Sequence, residues 1–90
     1  MASGGYQGSL IIKGSNVTGT LSDNNFDRAH FVRIQTTTAN NLVTLKDESG
    51  NTIGSLELHD AGDSIVIEKR PNETLSTSKG CHASAVGSPH

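Results

Sequence analysis

The sequence predicts an all-β chain: a single small antiparallel β-sandwich or barrel of six to seven short strands, with a flexible arm at each end. Three observations carry that prediction. Apolar and polar residues alternate in short runs that recur about every ten residues. Clusters of Gly, Asn, Asp and Ser punctuate those runs. Nowhere do apolar residues recur at the three, four, seven spacing over a helical length. The chain has 90 residues, and because a domain usually takes ~100–200 residues, one core must serve all of it. That core is thin. Leu, Ile, Val and Phe make up 20 of the 90 residues, a little above the ~20% below which highly charged chains stay disordered, and the net charge is only −2. A folded domain with little stability to spare is expected to lean on contacts between copies, so a homo-oligomer is predicted.

Taken in order, "SLIIK" (9–13) is the first apolar run and "AHFVRIQ" (29–35) the second, with His30, Val32 and Ile34 on one face. "NLVTLKD" (41–47) places Val43 and Leu45 together, and "DESGN" supplies a hairpin turn in which Gly50 takes a positive φ. In "NTIGSLELH" (51–59), Ile53 is out of phase with Leu56 and Leu58, and Gly54 between them marks a bulge or a change of twist. "DAGD", with Gly62, is a turn by composition, and "SIVIEK" (64–69) sets Ile65 and Ile67 opposite Val66 and Glu68. Pro71 has no N–H to give a ladder, so the strand is predicted to end near Arg70 in a turn stabilised by Asn72. Lys69 and Arg70 should then project from the sheet end as candidate interaction residues, the alternative being two solvated charges that guard a strand edge. Weaker strands are expected around Leu75 and from Cys81 to Val86. "MASGGYQG" and "ASAVGSPH" are poor in large apolar groups and read as arms. The predicted boundaries are an N-terminal arm 1–8, a β-sandwich domain 9–86 and a C-terminal tail 87–90.

Chemistry is sparse in this sequence. Cys81 is the single cysteine and reads as a small apolar filler. His30, His59, His82 and His90 are dispersed without a metal-binding spacing. His30 is expected to be half-buried in a strand. His59 and Asp60 could be joined to one of eleven serines on paper, but no nucleophile elbow supports a triad. "DNNFD" offers Asp23, Asn25 and Asp27 at calcium-loop spacing, then fails where the loop needs Gly and a final carboxylate, because Arg28 and Ile34 stand there. A polar loop with Asx-turns is the expectation. No catalytic residue, metal or cofactor is predicted. Scattered basic residues and only three aromatics, Tyr6, Phe26 and Phe31, argue against nucleic acid and against a carbohydrate platform. "MASGGYQGS" lacks the basic start and apolar run of a signal peptide, and no run reaches membrane-span length, so no membrane partner and synthesis in a cytoplasm are expected. The sequons at Asn16 and Asn72 then carry little weight.

A resemblance enters through one long stretch, "LVTLKDESGNTIGSLELHDAGDSIVIEKRPNETLSTS". Its turn and core positions Gly50, Ile53, Gly54, Leu58, Gly62, Ile67, Lys69, Pro71 and Leu75 fall on the pattern "dGxtiGxixlxaGxsivIxKxPxdtL". Ala85, Val86, Gly87 and Pro89 then match a closing "AVGxP". Over about half the chain, from Val43 to Pro89, it resembles small virion structural proteins of tailed phages, particularly phages of marine cyanobacteria. The resemblance implies a non-enzymatic structural protein of a phage virion. Its expected place is capsid decoration or cement, or the neck or tail, with other virion proteins as partners. The competing expectation is a soluble ligand- or carbohydrate-binding β module.

Overall fold

The computed structural model describes residues 11–87 and is all-β, with eight antiparallel strands in two sheets. The arm 1–8, the first residues of "SLIIK" and residues 88–90 lie outside the described residues. The strands are β1 (Ile11–Ile12), β2 (Val17–Thr20), β3 (Phe31–Thr36), β4 (Asn41–Lys46), β5 (Thr52–Leu58), β6 (Ser64–Glu68), β7 (Thr74–Thr77) and β8 (Gly80–Gly87). The larger sheet runs β1-β8-β3-β6, with β2 also paired to β8, and the smaller runs β5-β4-β7. Two separate layers make this a sandwich rather than a barrel.

Period-two alternation builds the core. Val32, Ile34 and Thr36 on β3, Cys81, Ala83 and Ala85 on β8, Asn41 and Val43 on β4, and Leu75 and Thr77 on β7 are all buried. Leu21 and Phe26, from the segment between β2 and β3, join the same cluster. After β2 the chain changes sheets: Leu75 N–H donates to Asn24 O at 2.9 Å and Thr77 N–H to Leu21 O at 3.1 Å, so residues 21–24 cover the outer edge of β7.

Three expectations change here. The "ASAVG" stretch is no arm but belongs to the strand expected from Cys81 to Val86, since Ala83, Ala85, Val86 and Gly87 are buried in β8, which spans eight residues. β8 lies in the middle of the larger sheet, and its small side chains leave room for Leu21, Phe26 and Leu75 within one core. The predicted tail boundary therefore shifts past Gly87. β2, "VTGT", escapes a pattern reading because Val17 is its only large apolar residue. His30 is exposed and precedes β3 instead of lying half-buried within it.

The sheets are tied by a polar group. Asn41 on β4 is fully buried, and its Nδ2 donates to Thr36 Oγ1, Lys79 O and Gly80 O, each at 3.1 Å. Its Oδ1 accepts from Lys79 N–H at 3.0 Å. One carboxamide of the smaller sheet thus holds β3 and the entry to β8 in the larger one.

The turns behave as their sequences require. Gly50 has φ 88° and Gly62 φ 95°. Asp47 N–H donates to Asn51 O at 2.8 Å, and the Asp47 carboxylate accepts from Ser49 N–H and Asn51 N–H, both at 2.9 Å. The register of β4 against β5 shifts between Leu45 and Lys46, which leaves Ile53 unpaired beside Gly54. This is the bulge expected from the phase break.

Two stability outcomes follow. Open space surrounds a Cβ built on Gly50, so Gly50→Val should lose about 1–2 kcal/mol through backbone strain alone, and Ser49→Val should lose less. Asn41→Ala should cost more, about 2–3 kcal/mol, because it strands buried donors and acceptors in both sheets. Denaturant melts of the three variants against the parent measure both effects.

Candidate functional site

Three connections converge at one end of the sandwich: residues 24–30, the hairpin turn 47–51, and the turn 69–73. Together Arg28, Asp47, Glu48, Arg70, Pro71 and Glu73 line a depression of about 400 Å³. Ile11 is paired with Gly87 and Phe31 with both Val86 and Glu68. The chain therefore enters β1 and leaves β8 at this same end.

The turn after β6 departs from expectation in two ways. Its support comes from Glu73, not Asn72: Glu73 Oε1 accepts from Arg70 N–H at 2.8 Å and Glu73 N–H donates to Arg70 O at 3.0 Å. Of the two candidate interaction residues, only Arg70 projects, whereas Lys69 is 4% exposed. The reason is parity. Lys69 is in phase with Ile65 and Ile67, so its stem lies on the core side, and its Nζ reaches the carbonyls of Arg70 at 3.2 Å and Pro71 at 3.4 Å. Burial pulls the Lys69 ammonium below the usual lysine range, and the nearby Glu73 carboxylate opposes that shift. Lys69 is thus a clamp on the turn that carries Pro71, and Arg70 is the group offered outward.

Arg28 reaches the depression from a strained segment. Asp23, Phe26, Asp27 and Arg28 all have positive φ, between 47° and 64°. For residues with a Cβ, each such conformation costs ~1–2 kcal/mol. Asx-turns and burial offset it: Asn24 Oδ1 accepts from Phe26 N–H at 2.8 Å, Asn25 Oδ1 accepts from Asp27 N–H at 3.1 Å, and the Phe26 ring is buried. The calcium-like residues are therefore spent on turn geometry and on pairing. Asp23 Oδ1 lies 3.3 Å from Lys46 Nζ and accepts from Ser76 Oγ. Among the described residues, no group of three or more His, Cys, Asp or Glu is placed to hold a metal.

The remaining reactive residues sit apart. Cys81 is in the core, its thiol pushed above the usual range by burial. His82 Nδ1 is 3.2 Å from Thr18 Oγ1 on the exposed outer face. His59 and Asp60 lie at the opposite end, where Asp60 N–H donates to the Asp63 carboxylate at 2.9 Å.

A second feature lies between the layers. Val43, Leu45, Leu56 and Leu75 from the smaller sheet, with Ile53 and with Ile67 from β6, line an open apolar cleft of about 160 Å³. Ligand pockets commonly measure ~300–1,000 Å³. This cleft marks the side on which the two edge strands β5 and β6 leave the sandwich incompletely closed.

Charge changes at this end should separate the two basic residues. Arg70→Glu should alter stability by less than ~0.5 kcal/mol, as exposed substitutions do, while Lys69→Glu should lose about 2 kcal/mol or more by burying a carboxylate beside Glu73. Chemical denaturation of each variant checks this. A pH effect is also expected. The Asp47 carboxyl is held below its ordinary 3.8 chiefly by the Asn51 N–H, and Asp23 chiefly by Lys46 and then Ser76. A lowered folded pKa stabilises the fold fully above about 3.8 and loses that contribution as pH falls through the folded value. Thermal melts should therefore fall below pH ~4, and Asp47→Asn should flatten part of that fall.

No family model, no curated protein and no solved structure matches this chain.

Proposed function

We propose that this chain is a non-enzymatic structural component of a phage virion. In that role it meets other virion proteins, as capsid decoration or cement or as part of the neck or tail, and assembles through symmetric contacts between copies. The observation that carries the reading is the shared end of the sandwich. The exposed guanidinium groups of Arg28 and Arg70 stand with Asp47 and Glu48 around one depression, and the chain enters β1 and leaves β8 there. A β body of this kind can seat on a neighbouring surface through the charged loops at this end. The strained Asp23 to Arg28 segment supports the same assignment, because backbone strain of this size persists where a conformation is needed for use.

In purified particles of a phage encoding the chain, mass spectrometry should find it in multiple copies per particle, and antibody labelling under the electron microscope should place it on the head or at the neck or tail. Arg70→Glu should leave the fold intact and lower its occupancy in the particle. Absence of the protein from intact particles would overturn the reading, and unchanged occupancy of Arg70→Glu would remove Arg70 from the contact.

A further inference from the structure

The strand edges of this sandwich are unequal. β7 is covered by residues 21–24. β5 carries the bulge at Ile53, which breaks the regular spacing of its outer hydrogen-bonding groups at the start of the strand, ahead of the regular run Gly54–Leu58. β2 is a short piece, and Gly19 within it has φ 112°. Among the described residues, β6 offers an unbroken run of five residues in continuous register, Ser64–Glu68, with no Pro, Gly, Lys or bulge to guard it, whereas the run of equal length on β5 opens on Gly54 beside its bulge.

Which backbone groups face outward can be read from the ladder. Lys69 N–H donates to His30 O at 2.7 Å and Thr36 N–H to Asp63 O at 2.9 Å. Odd-numbered residues on this strand therefore turn their N–H and C=O toward β3, and those of Ser64, Val66 and Glu68 point to the open edge. The side chains of the same three residues are exposed, Val66 by 40%.

We propose that this edge pairs with the same edge of a second copy, antiparallel and centred on Val66. The inference rests on the structural reading above and names the contact through which copies meet. Three features select a second copy as the occupant. The stretch "SIVIE" is self-complementary about its centre, so Val66 meets its own counterpart and Ile65 meets the partner's Ile67 on the inner face. Ser64, a hydroxyl donor, stands opposite the partner's Glu68 carboxylate, while a register centred on Glu68 would set two carboxylates face to face. Ile67 lines the open cleft, so the pairing covers that cleft on both sandwiches at once. With three outward residues per strand, about six backbone hydrogen bonds form, and the two larger sheets become one continuous sheet across a twofold axis. An edge contact this short buries less than the ~1,200–2,000 Å² of a standard interface, so the dimer should dissociate on the order of micromolar concentration.

Sedimentation equilibrium of the full chain over a concentration series tests the contact. The parent should dimerise, and Val66→Pro should be monomeric with an undiminished melt, because the N–H it removes points away from β3. Ser64→Glu, which opposes the partner's Glu68, should weaken the dimer roughly tenfold, and adding Glu68→Lys should restore it. A parent that stays monomeric well above micromolar concentration overturns the proposal, as does a folded Val66→Pro that dimerises like the parent. If Val66→Pro does not fold, the charge pair decides: no weakening by Ser64→Glu, or no rescue by Glu68→Lys, overturns the register. The particle assay is read separately. A dimer absent from virions keeps this contact and ends the virion reading; a monomer present in virions does the reverse.

Discussion

The fold depends on one buried carboxamide. A sandwich held by apolar contact alone can slide, since burial of hydrocarbon is non-directional and depends mainly on area. Asn41 removes that freedom by reaching from β4 to Thr36 at the end of β3 and to Lys79 and Gly80 at the start of β8. These bonds are directional and shielded from water, and the side chain is fully buried. The apolar alternation of β3, β4 and β8 can then interlock in one register. With so few large side chains available, a polar clasp supplies uniqueness that packing alone would leave weak.

Because the clasp sits at one end, the other end is free to carry exposed chemistry. Arg28 and Arg70 are displayed there, each held by a different device: an Asx-rich left-handed turn for Arg28, and the Lys69 and Glu73 contacts of the Pro71 turn for Arg70. The side of the sandwich is a separate matter. Its smaller sheet is guarded by the Ile53 bulge, whereas β6 in the larger sheet is left plain. A regular edge presents its outward backbone N–H and C=O groups at even spacing.

Much of this architecture was legible in the residues. β-branched alternation placed the strands through Val32, Ile34, Val43, Ile65 and Ile67, because a side-chain period of two leaves one reading of which face is buried. Gly50 and Gly62 marked turns, since positive φ excludes most residues with a Cβ. The phase break at Ile53 announced its bulge. Of the candidate site, Arg70 was found by the stop at Pro71. Lys69 was misplaced, although its parity with Ile67 already pointed it inward.

What the sequence by itself determined is therefore local: strand periodicity, turn positions and the phase at which each strand meets the core. The tertiary structure decided which strand is central, what clasps the layers and which edge is open. β8 shows the physical reason. Cys81, Ala83 and Ala85 look like poor strand formers in isolation, yet small side chains suit the middle of the larger sheet, where Leu21, Phe26 and Leu75 fill the same core. The value of such a residue lies in the volume its neighbours take up, and the neighbours of β8 come from distant parts of the chain.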